Sequence, residues 1–238
     1  MVKNKKRVKF MGFIISAGSI FLGGILGGIF KKKVDIRDFS ALSIGIMLIS
    51  AIGLLENILI VSDGKIVGEH TLVVSIALIL GFFIGNALKL EDRIYRLSKG
   101  QNLTKNGFVD TILFFAIGGL QLSGPILYAL EGDSFQLILK GVIDFPFALV
   151  FGATYGKKIS LTAIVIALMQ LIIAGVAFAF GGFLGSELLS QICALGYLIL
   201  FFSGFNLICS PEKKIKNINI LPGLIIIIIY NVIVEVIF

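Results

Sequence analysis

Two residues of opposite charge, Lys140 and Asp144, lie in the otherwise apolar segment 139–156, LKGVIDFPFALVFGATYG. Side chains four residues apart meet on one face of a helix, so these two can form an ion pair. In a helix that starts near Phe135, Asp144 lies about 13 Å along the axis, close to the middle of a bilayer. A charge at that depth costs roughly 2.5–3.5 kcal/mol, so both side chains are predicted to face the interior of a helix bundle.

This pair admits three interpretations. It could be a purely structural ion pair that fixes helix packing. Asp144 could instead be the titrating or coordinating group of an ion- or proton-coupling site, with Lys140 as its partner. Lys140 could also extend to the membrane surface and leave Asp144 alone. A water-accessible cavity that reaches Asp144 would favour coupling, whereas a dry, fully packed pair would favour the structural role.

Other polar residues lie deep in apolar segments and could complete a binding site for a small solute or ion. Each of them singly is more often an interhelical hydrogen bond than a ligand. The predicted supporting ligands are Gln121, Gln170 and Asn206, with Asn231, Thr154 and Ser203 as further candidates.

Helix breaks are expected beside these residues, at Gly124 and Pro125 in the fourth apolar segment and at Pro146 in the fifth. Proline cannot donate the helical hydrogen bond and clashes with the preceding turn. Broken helices near mid-membrane expose backbone N–H and C=O groups, which line the binding site in several transporter folds. A structural kink without a binding role is the alternative.

The elements that carry these residues follow from composition. The chain is 57% hydrophobic and 15% charged, with a mean hydropathy of +1.03. Apolar runs of about twenty residues match the length that a helix needs to cross a bilayer, and helices satisfy the backbone there. We therefore predict an all-α, polytopic transmembrane helical bundle of about eight spans. The spans are expected near residues 11–30, 40–61, 71–89, 108–129, 135–155, 159–181, 188–209 and 219–237.

The distribution of Lys and Arg predicts the orientation. The loops after spans one, three, five and seven are basic. The loops after spans two, four and six together contain one Lys or Arg residue, Lys65. Basic loops stay cytoplasmic, which puts both termini outside and explains the net charge of +7 without nucleic-acid binding. The basic tip 1–10, MVKNKKRVKF, disagrees. Either the even span count is wrong, or the tip stays outside, or translation starts at Met11. The predicted organisation is this basic tip, 1–10, followed by a single transmembrane domain, 11–238.

An internal repeat is also a candidate feature. AGSIFLGGILG at 17–27 is similar to AGVAFAFGGFLG at 174–185, and Gly45 and Gly53 have the spacing of Gly196 and Gly204. Spans one and two would then repeat as spans six and seven with inverted orientation, as is common in secondary transporters. Coincidence among glycine-rich segments is the alternative.

Enzymatic activity, a cofactor and a metal site are not expected. His70 is the single histidine, and no nucleophile elbow, phosphate-binding loop or dinucleotide fingerprint occurs. The expected partners are the lipid bilayer and an unknown small solute or ion. A homodimer packed through four-residue glycine spacings such as Gly23/Gly27 or Gly81/Gly85 is a further option. The polar interval 90–107 is either a short amphipathic helix at the interface or a solvated loop.

Four segments together resemble the YqgA/YdfK family of bacterial inner-membrane proteins, a domain of unknown function (DUF 554). The segments are GFIISAGSIFLGGILG at 12–27, GDSFQLILKGVIDFPFALVFGATYG at 132–156, GFNL at 204–207 and NILPGL at 219–224. The resemblance implies a plasma-membrane protein and no particular activity. It selects Gly132, Asp133, Lys140, Asp144, Asn206, Asn219 and Pro222, and it departs at Ser16, where the family usually has Asn. That departure argues against a polar site at the start of span one.

Two functions follow as hypotheses. The first is a transporter or channel for a small solute or ion, with a mid-membrane site around Lys140 and Asp144. The second is a structural or regulatory membrane protein that binds a protein or lipid partner, in which the same two residues form a structural ion pair.

Overall fold

The computed structural model describes residues 2–30, 40–62, 65–99, 107–116, 119–179, 181 and 185–237. The described chain is almost entirely helical, as predicted. The helices are α1 (Val2–Phe30), α2 (Ser40–Ile58), α3 (Thr71–Ala87), α4 (Leu90–Lys99), α5 (Phe108–Ala116), α6 (Gly119–Glu131), α7 (Phe135–Tyr155), α8 (Thr162–Ala179), α9 (Ser186–Ile208) and α10 (Pro222–Ile237). Two short antiparallel strands, β1 (Ile60–Ser62) and β2 (Lys65–Val67), connect α2 to α3. Short 3₁₀ turns at Lys157–Leu161, Pro211–Lys213 and Asn217–Ile220 precede α8 and α10.

Six segments of the described chain are long and apolar enough to cross a membrane. They are Met11–Phe30, Ser40–Ile58, Phe135–Tyr155, Lys157–Ala179, Ser186–Ile208 and Asn217–Val234. Helix α3 is apolar but shorter, and α5 and α6 are the described parts of the predicted fourth span. Each of the eight predicted spans therefore contains helix.

The expected positions of the helix breaks are wrong in detail. Helix α6 continues through Gly124 and Pro125, and α7 continues through Pro146. Proline removes one backbone hydrogen bond, and packing against neighbouring helices lets a membrane helix tolerate that loss without ending. Residues 117 and 118, between α5 and α6, lie outside the described chain.

The chain forms two compact units. Unit 1 consists of Met1–Phe39 and Ser98–Phe183, and unit 2 consists of Ser40–Leu97 and Leu184–Phe238. Unit 1 therefore contains α1 and α5–α8, whereas unit 2 contains α2–α4, α9 and α10.

Glycines bring α1 and α7 of unit 1 into backbone contact. A β-carbon at Gly23 would lie 2.6 Å from the carbonyl oxygen of Phe145, and one at Gly27 would overlap the carbonyl oxygen of Leu149. These contacts advance together along both helices, so α1 and α7 run parallel. Small residues allow such close approach in lipid, where no hydrophobic effect drives helix association.

Glycines serve the same purpose in unit 2. Gly81 packs against Gly223, and Gly85 packs against the backbone of Asn219, so that α3 and α10 run antiparallel. The predicted glycine faces are thus occupied by helices of their own unit, and the contacts provide no argument for a dimer.

The repeat-related segments of α2 and α9 pack against each other in unit 2. Gly53 faces the ring of Tyr197, and Gly204 faces Ile46 and Met47. Ile46 directly follows Gly45 and Tyr197 directly follows Gly196, so Ile46 and Tyr197 are equivalent positions of the two copies. The second glycine of each copy therefore contacts the equivalent position of the other copy. The antiparallel, symmetric contact supports the inverted repeat.

Helix α4 confirms the helical interpretation of the polar interval over Leu90–Lys99, whereas residues 100–106 lie outside the described chain. The helix is held to the turn that precedes α10. The Glu91 backbone N–H donates to Asn219 Oδ1 at 3.0 Å, the Ile218 backbone N–H donates to Glu91 Oε2 at 3.4 Å, and Lys216 Nζ lies 3.0 Å from Asp92 Oδ1. Burial raises the pKa of the Glu91 carboxyl, whereas the hydrogen bond from Lys216 lowers the pKa of Asp92. At neutral pH the ionised Glu91 carboxylate therefore destabilises the folded state, whereas the ionised Asp92 carboxylate stabilises it.

We predict that Glu91→Gln raises the melting temperature at neutral pH and has little effect in acid. A carboxyl whose pKa is raised on folding favours the folded state below its ordinary pKa of about 4.3, and this advantage is lost as the pH rises through the raised value. Glutamine keeps the acceptor for Ile218 and carries no charge. Melting curves across pH check this, with Glu187→Gln, at an exposed position of α9, as control. A gain that persisted in acid would contradict the electrostatic explanation.

Candidate functional site: buried polar groups of unit 1

Lys140 and Asp144 form a buried ion pair in α7. Lys140 Nζ lies 2.5 Å from Asp144 Oδ2, and the two residues are 4% and 6% exposed. The predicted pairing is therefore confirmed, and the interpretation in which Lys140 extends to the membrane surface is wrong. Lys140 does not reach the membrane surface because it lies on the buried face of α7, together with Leu137, Gly141 and Asp144.

Lys140 has a second partner, the backbone of α5. Its Nζ donates to the carbonyl oxygen of Phe115 at 3.1 Å and lies 5.8 Å from the centre of the Phe115 ring. Phe115 is 2% exposed, so its carbonyl group and its ring meet the Lys140 ammonium inside unit 1. The backbone of α5 thus supplies a polar group to the site.

Three buried polar side chains from α1, α6 and α8 form a second cluster in unit 1. Gln170 Nε2 donates to Ser16 Oγ at 2.8 Å and to Gln121 Oε1 at 3.1 Å. Ser16 and Gln170 are 0% exposed and Gln121 is 1% exposed. Two further atoms, Gln121 Nε2 and Gln170 Oε1, are buried without a hydrogen-bond partner in the described chain. We call Ser16, Gln121 and Gln170 the amide cluster.

Ser16 corrects an expectation from the sequence. The resemblance argued against a polar site at the start of span one, yet Ser16 is buried there and bonds Gln170. Its neighbour Ile15 contacts Gly141 of α7, the residue after Lys140. Ile15 and Gly141 touch where α1 packs against α7. Ser16 of the amide cluster follows Ile15 in the chain, and Lys140 of the ion pair precedes Gly141.

The other predicted ligands have different partners. Asn206 belongs to unit 2, and its side chain donates to the carbonyl oxygen of Ile215 at 2.8 Å and accepts from the N–H of Ile215 at 2.7 Å. Thr154 and Ser203 donate to carbonyl groups of their own helices. Asn231 donates to Gln191 Oε1 at 2.7 Å. Among the predicted supporting ligands, Gln121 and Gln170 are the two that the structure brings together.

Several residues selected by the resemblance begin or end helices. Gly132 follows α6 with φ +73°, a conformation that glycine adopts readily. Asp133 Oδ1 accepts from the N–H of Phe135 at the start of α7. Pro222 is the first residue of α10, and Asn219 accepts an N–H from the first turn of α4. These residues position the helices and contribute no group to the amide cluster or the ion pair.

Comparison with known proteins gives the chain its family. The model "Protein of unknown function (DUF554)" matches residues 11–232. The chain is 28% identical to "Uncharacterized membrane protein YdfK" of Bacillus subtilis (strain 168), over 90% of this chain and 93% of that protein. It is 26% identical to "Uncharacterized protein YqgA" of Escherichia coli (strain K12), over 91% of this chain and 94% of that protein. No solved structure matches the chain significantly. A match over nearly the whole length, together with an all-helical fold and several membrane-length helices, shows that the chain belongs to the DUF554 family of integral membrane proteins.

Proposed function

We propose that the protein is a transporter or channel of the bacterial inner membrane that binds a small solute at the buried polar groups of unit 1. The observation that carries this proposal is the pair of unpartnered atoms, Gln121 Nε2 and Gln170 Oε1. A buried polar group without a hydrogen bond costs about 1–3 kcal/mol. A solute that forms hydrogen bonds with both atoms would recover that free energy, and this gain would favour binding.

In this proposal Asp144 is the coupling group and Lys140 is its partner. The pair is closed and almost completely buried in this structure. Opening it inside the membrane would be costly unless a proton, an ion or the solute replaced the lost partner. Movement of the solute is thereby tied to the occupancy of Asp144. The basic loops after the first, third, fifth and seventh spans are cytoplasmic in this scheme.

We predict that Asp144→Asn strongly reduces transport, while enough folded protein remains for reconstitution because Lys140 keeps its hydrogen bond to the Phe115 carbonyl. Asparagine keeps the size of the side chain and removes the charge that the proposed coupling requires. Osmotic reswelling of proteoliposomes, followed by light scattering with a panel of small solutes and salts, measures the flux. We expect a loss of about tenfold or more, equivalent to ~1.4 kcal/mol of barrier.

Asp133→Asn is the matched control, because Asp133 is an exposed carboxylate just before the same helix. The size-exclusion profile of each variant reports folding separately. Wild-type flux in the Asp144→Asn variant would contradict the role of Asp144 as coupling group.

A structural or regulatory membrane protein is the second candidate, and the packing of the ion pair favours it. Lys140 contacts Asp144, the Phe115 carbonyl and the Phe115 ring at once, which is the closely packed arrangement expected of a structural pair. The basic loops would then bind anionic lipid headgroups or a protein partner. In that case no solute crosses the proteoliposome membrane, and Asp144→Asn lowers the yield of folded protein.

A further inference from the structure

The amide cluster leaves one donor and one acceptor unpaired. Gln170 uses its Nε2 for two hydrogen bonds, to Ser16 and Gln121, so its own Oε1 remains unpaired, as does Gln121 Nε2. Reversing both amides would keep the contact between them and would again leave one donor and one acceptor. The demand of the site is thus the same in either orientation.

A third polar group lies beside this pair. Pro125 has no N–H to donate to the carbonyl group of Gln121, four residues earlier in the continuous helix α6. The same residue therefore carries an unpaired amide nitrogen in its side chain and a backbone carbonyl without its normal helical donor. Proline placed at this spacing increases the hydrogen-bonding capacity around Gln121.

These groups disfavour an ion. A cation such as Na⁺ or Ca²⁺ requires several oxygen ligands, and an amide N–H would point at it. An anion requires several donors, and Gln170 Oε1 would repel it. The charges of Lys140 and Asp144 already neutralise each other, so the nearby ion pair adds no net charge. What fits is an uncharged group that accepts and donates hydrogen bonds together.

We propose that the amide cluster is a binding site for a small uncharged molecule that carries a carboxamide or a hydroxyl group. Its acceptor atom takes the N–H of Gln121, and its own N–H or O–H is donated to Gln170 Oε1. This inference rests on the proposed function in one respect, since it names the class of solute that the same site would take. Binding itself does not require transport.

Three molecules of nearly equal size and shape test the charge preference: acetamide, acetate and acetamidinium. The melting temperature of the full-length protein in detergent is followed over a concentration series of each. Because a ligand that binds the folded state stabilises it by mass action, acetamide is expected to raise the melting temperature by a few degrees in a saturable manner. Acetate and acetamidinium are expected to have no saturable effect.

Variants assign the effect to the cluster. Gln121→Met and Gln170→Met each remove one of the unpaired groups at similar volume, and the response to acetamide should disappear. Gln191→Met is the matched control, because Gln191 is equally buried but lies in unit 2 with both polar atoms bonded, to His70 and Asn231. It should keep the full response. If neither cluster variant folds, the comparison of the three probes on the wild-type protein still decides between neutral and charged ligands.

Three results would overturn the inference: stabilisation by acetate or acetamidinium but not acetamide, no response to any probe, or an acetamide response that survives in both cluster variants. No response to any probe would mean that the cluster holds water only. Osmotic reswelling with acetamide separates this inference from the proposed function. Binding without flux keeps the site and removes transport, whereas flux that is unaffected by Gln121→Met and Gln170→Met keeps transport and removes the site.

Discussion

Lys140→Met is expected to destabilise the folded protein by about 3–5 kcal/mol, because it leaves the buried carboxylate of Asp144 without its cation. The same substitution also removes the donor to the Phe115 carbonyl of α5. Methionine fills most of the volume of the lysine stem, so the loss arises mainly from charge and hydrogen bonding. The fraction of folded protein after heating, measured by size-exclusion chromatography, reports the effect.

A double variant distinguishes the effect of the unpaired charge from the effect of changing the side chain at position 140. Lys140→Met combined with Asp144→Leu replaces both charges by apolar side chains and should recover much of the lost stability, since well-packed apolar replacements of buried ion pairs are often neutral or stabilising. If the double variant were less stable than Lys140→Met alone, the two residues would contribute through other contacts and the pair would not be the unit of stability. If Lys140→Met behaved like the wild-type protein, the burial of the pair would have no energetic consequence.

Gly27→Ala is expected to destabilise unit 1 strongly, because Gly27 makes the closest backbone contact between α1 and α7. The added carbon would overlap the carbonyl oxygen of Leu149 and would lie 2.8 Å from the backbone N of Ala153. Backbone atoms of a packed helix cannot move aside as a flexible side chain can, so α1 and α7 would have to separate. Overpacking of a core typically costs 1–3 kcal/mol, and we expect about the upper end of that range.

Gly18→Ala is the control in the same helix. A β-carbon at Gly18 would have no atom within 4 Å, and alanine is up to about 1 kcal/mol better than glycine in a helix. The Gly18 variant should therefore melt at the wild-type temperature or above, while the Gly27 variant melts well below it. Equal melting of the two variants would show that the contact between α1 and α7 yields more easily than its geometry indicates.

The sequence was sufficient for features that depend on short distances along the chain. Apolar run length predicted most helices to within a few residues, although α1 begins at Val2 and so extends into the basic tip, where apolar run length carries no signal. The four-residue spacing of Lys140 and Asp144 predicted their ion pair. Proline was less informative. Pro125 and Pro146 were expected to end helices, but the chemistry of one residue does not decide whether neighbouring helices hold the next turn in place.

Contacts between distant segments were not predictable in the same way. Gln121 and Gln170 were identified as polar residues inside apolar runs, whereas the hydrogen bonds of Gln170 to Gln121 and to Ser16 depend on how three helices pack. Asn206 had the same local appearance as these glutamines, yet its partner is the backbone of Ile215. The pattern of a single sequence gives the polarity of a side chain and its depth, and packing decides what it bonds.

The pairing of early with late helices has a consequence for the order of events during synthesis. Helix α1 packs on α7 within unit 1, and α2 and α3 pack on α9 and α10 within unit 2. Helices that insert into the bilayer first must therefore persist there, with their glycine faces against lipid, until more than half of the chain has been translated. Nascent chains that end before α7 contain no native partner for the glycine face of α1, and those that end before α9 contain none for α2.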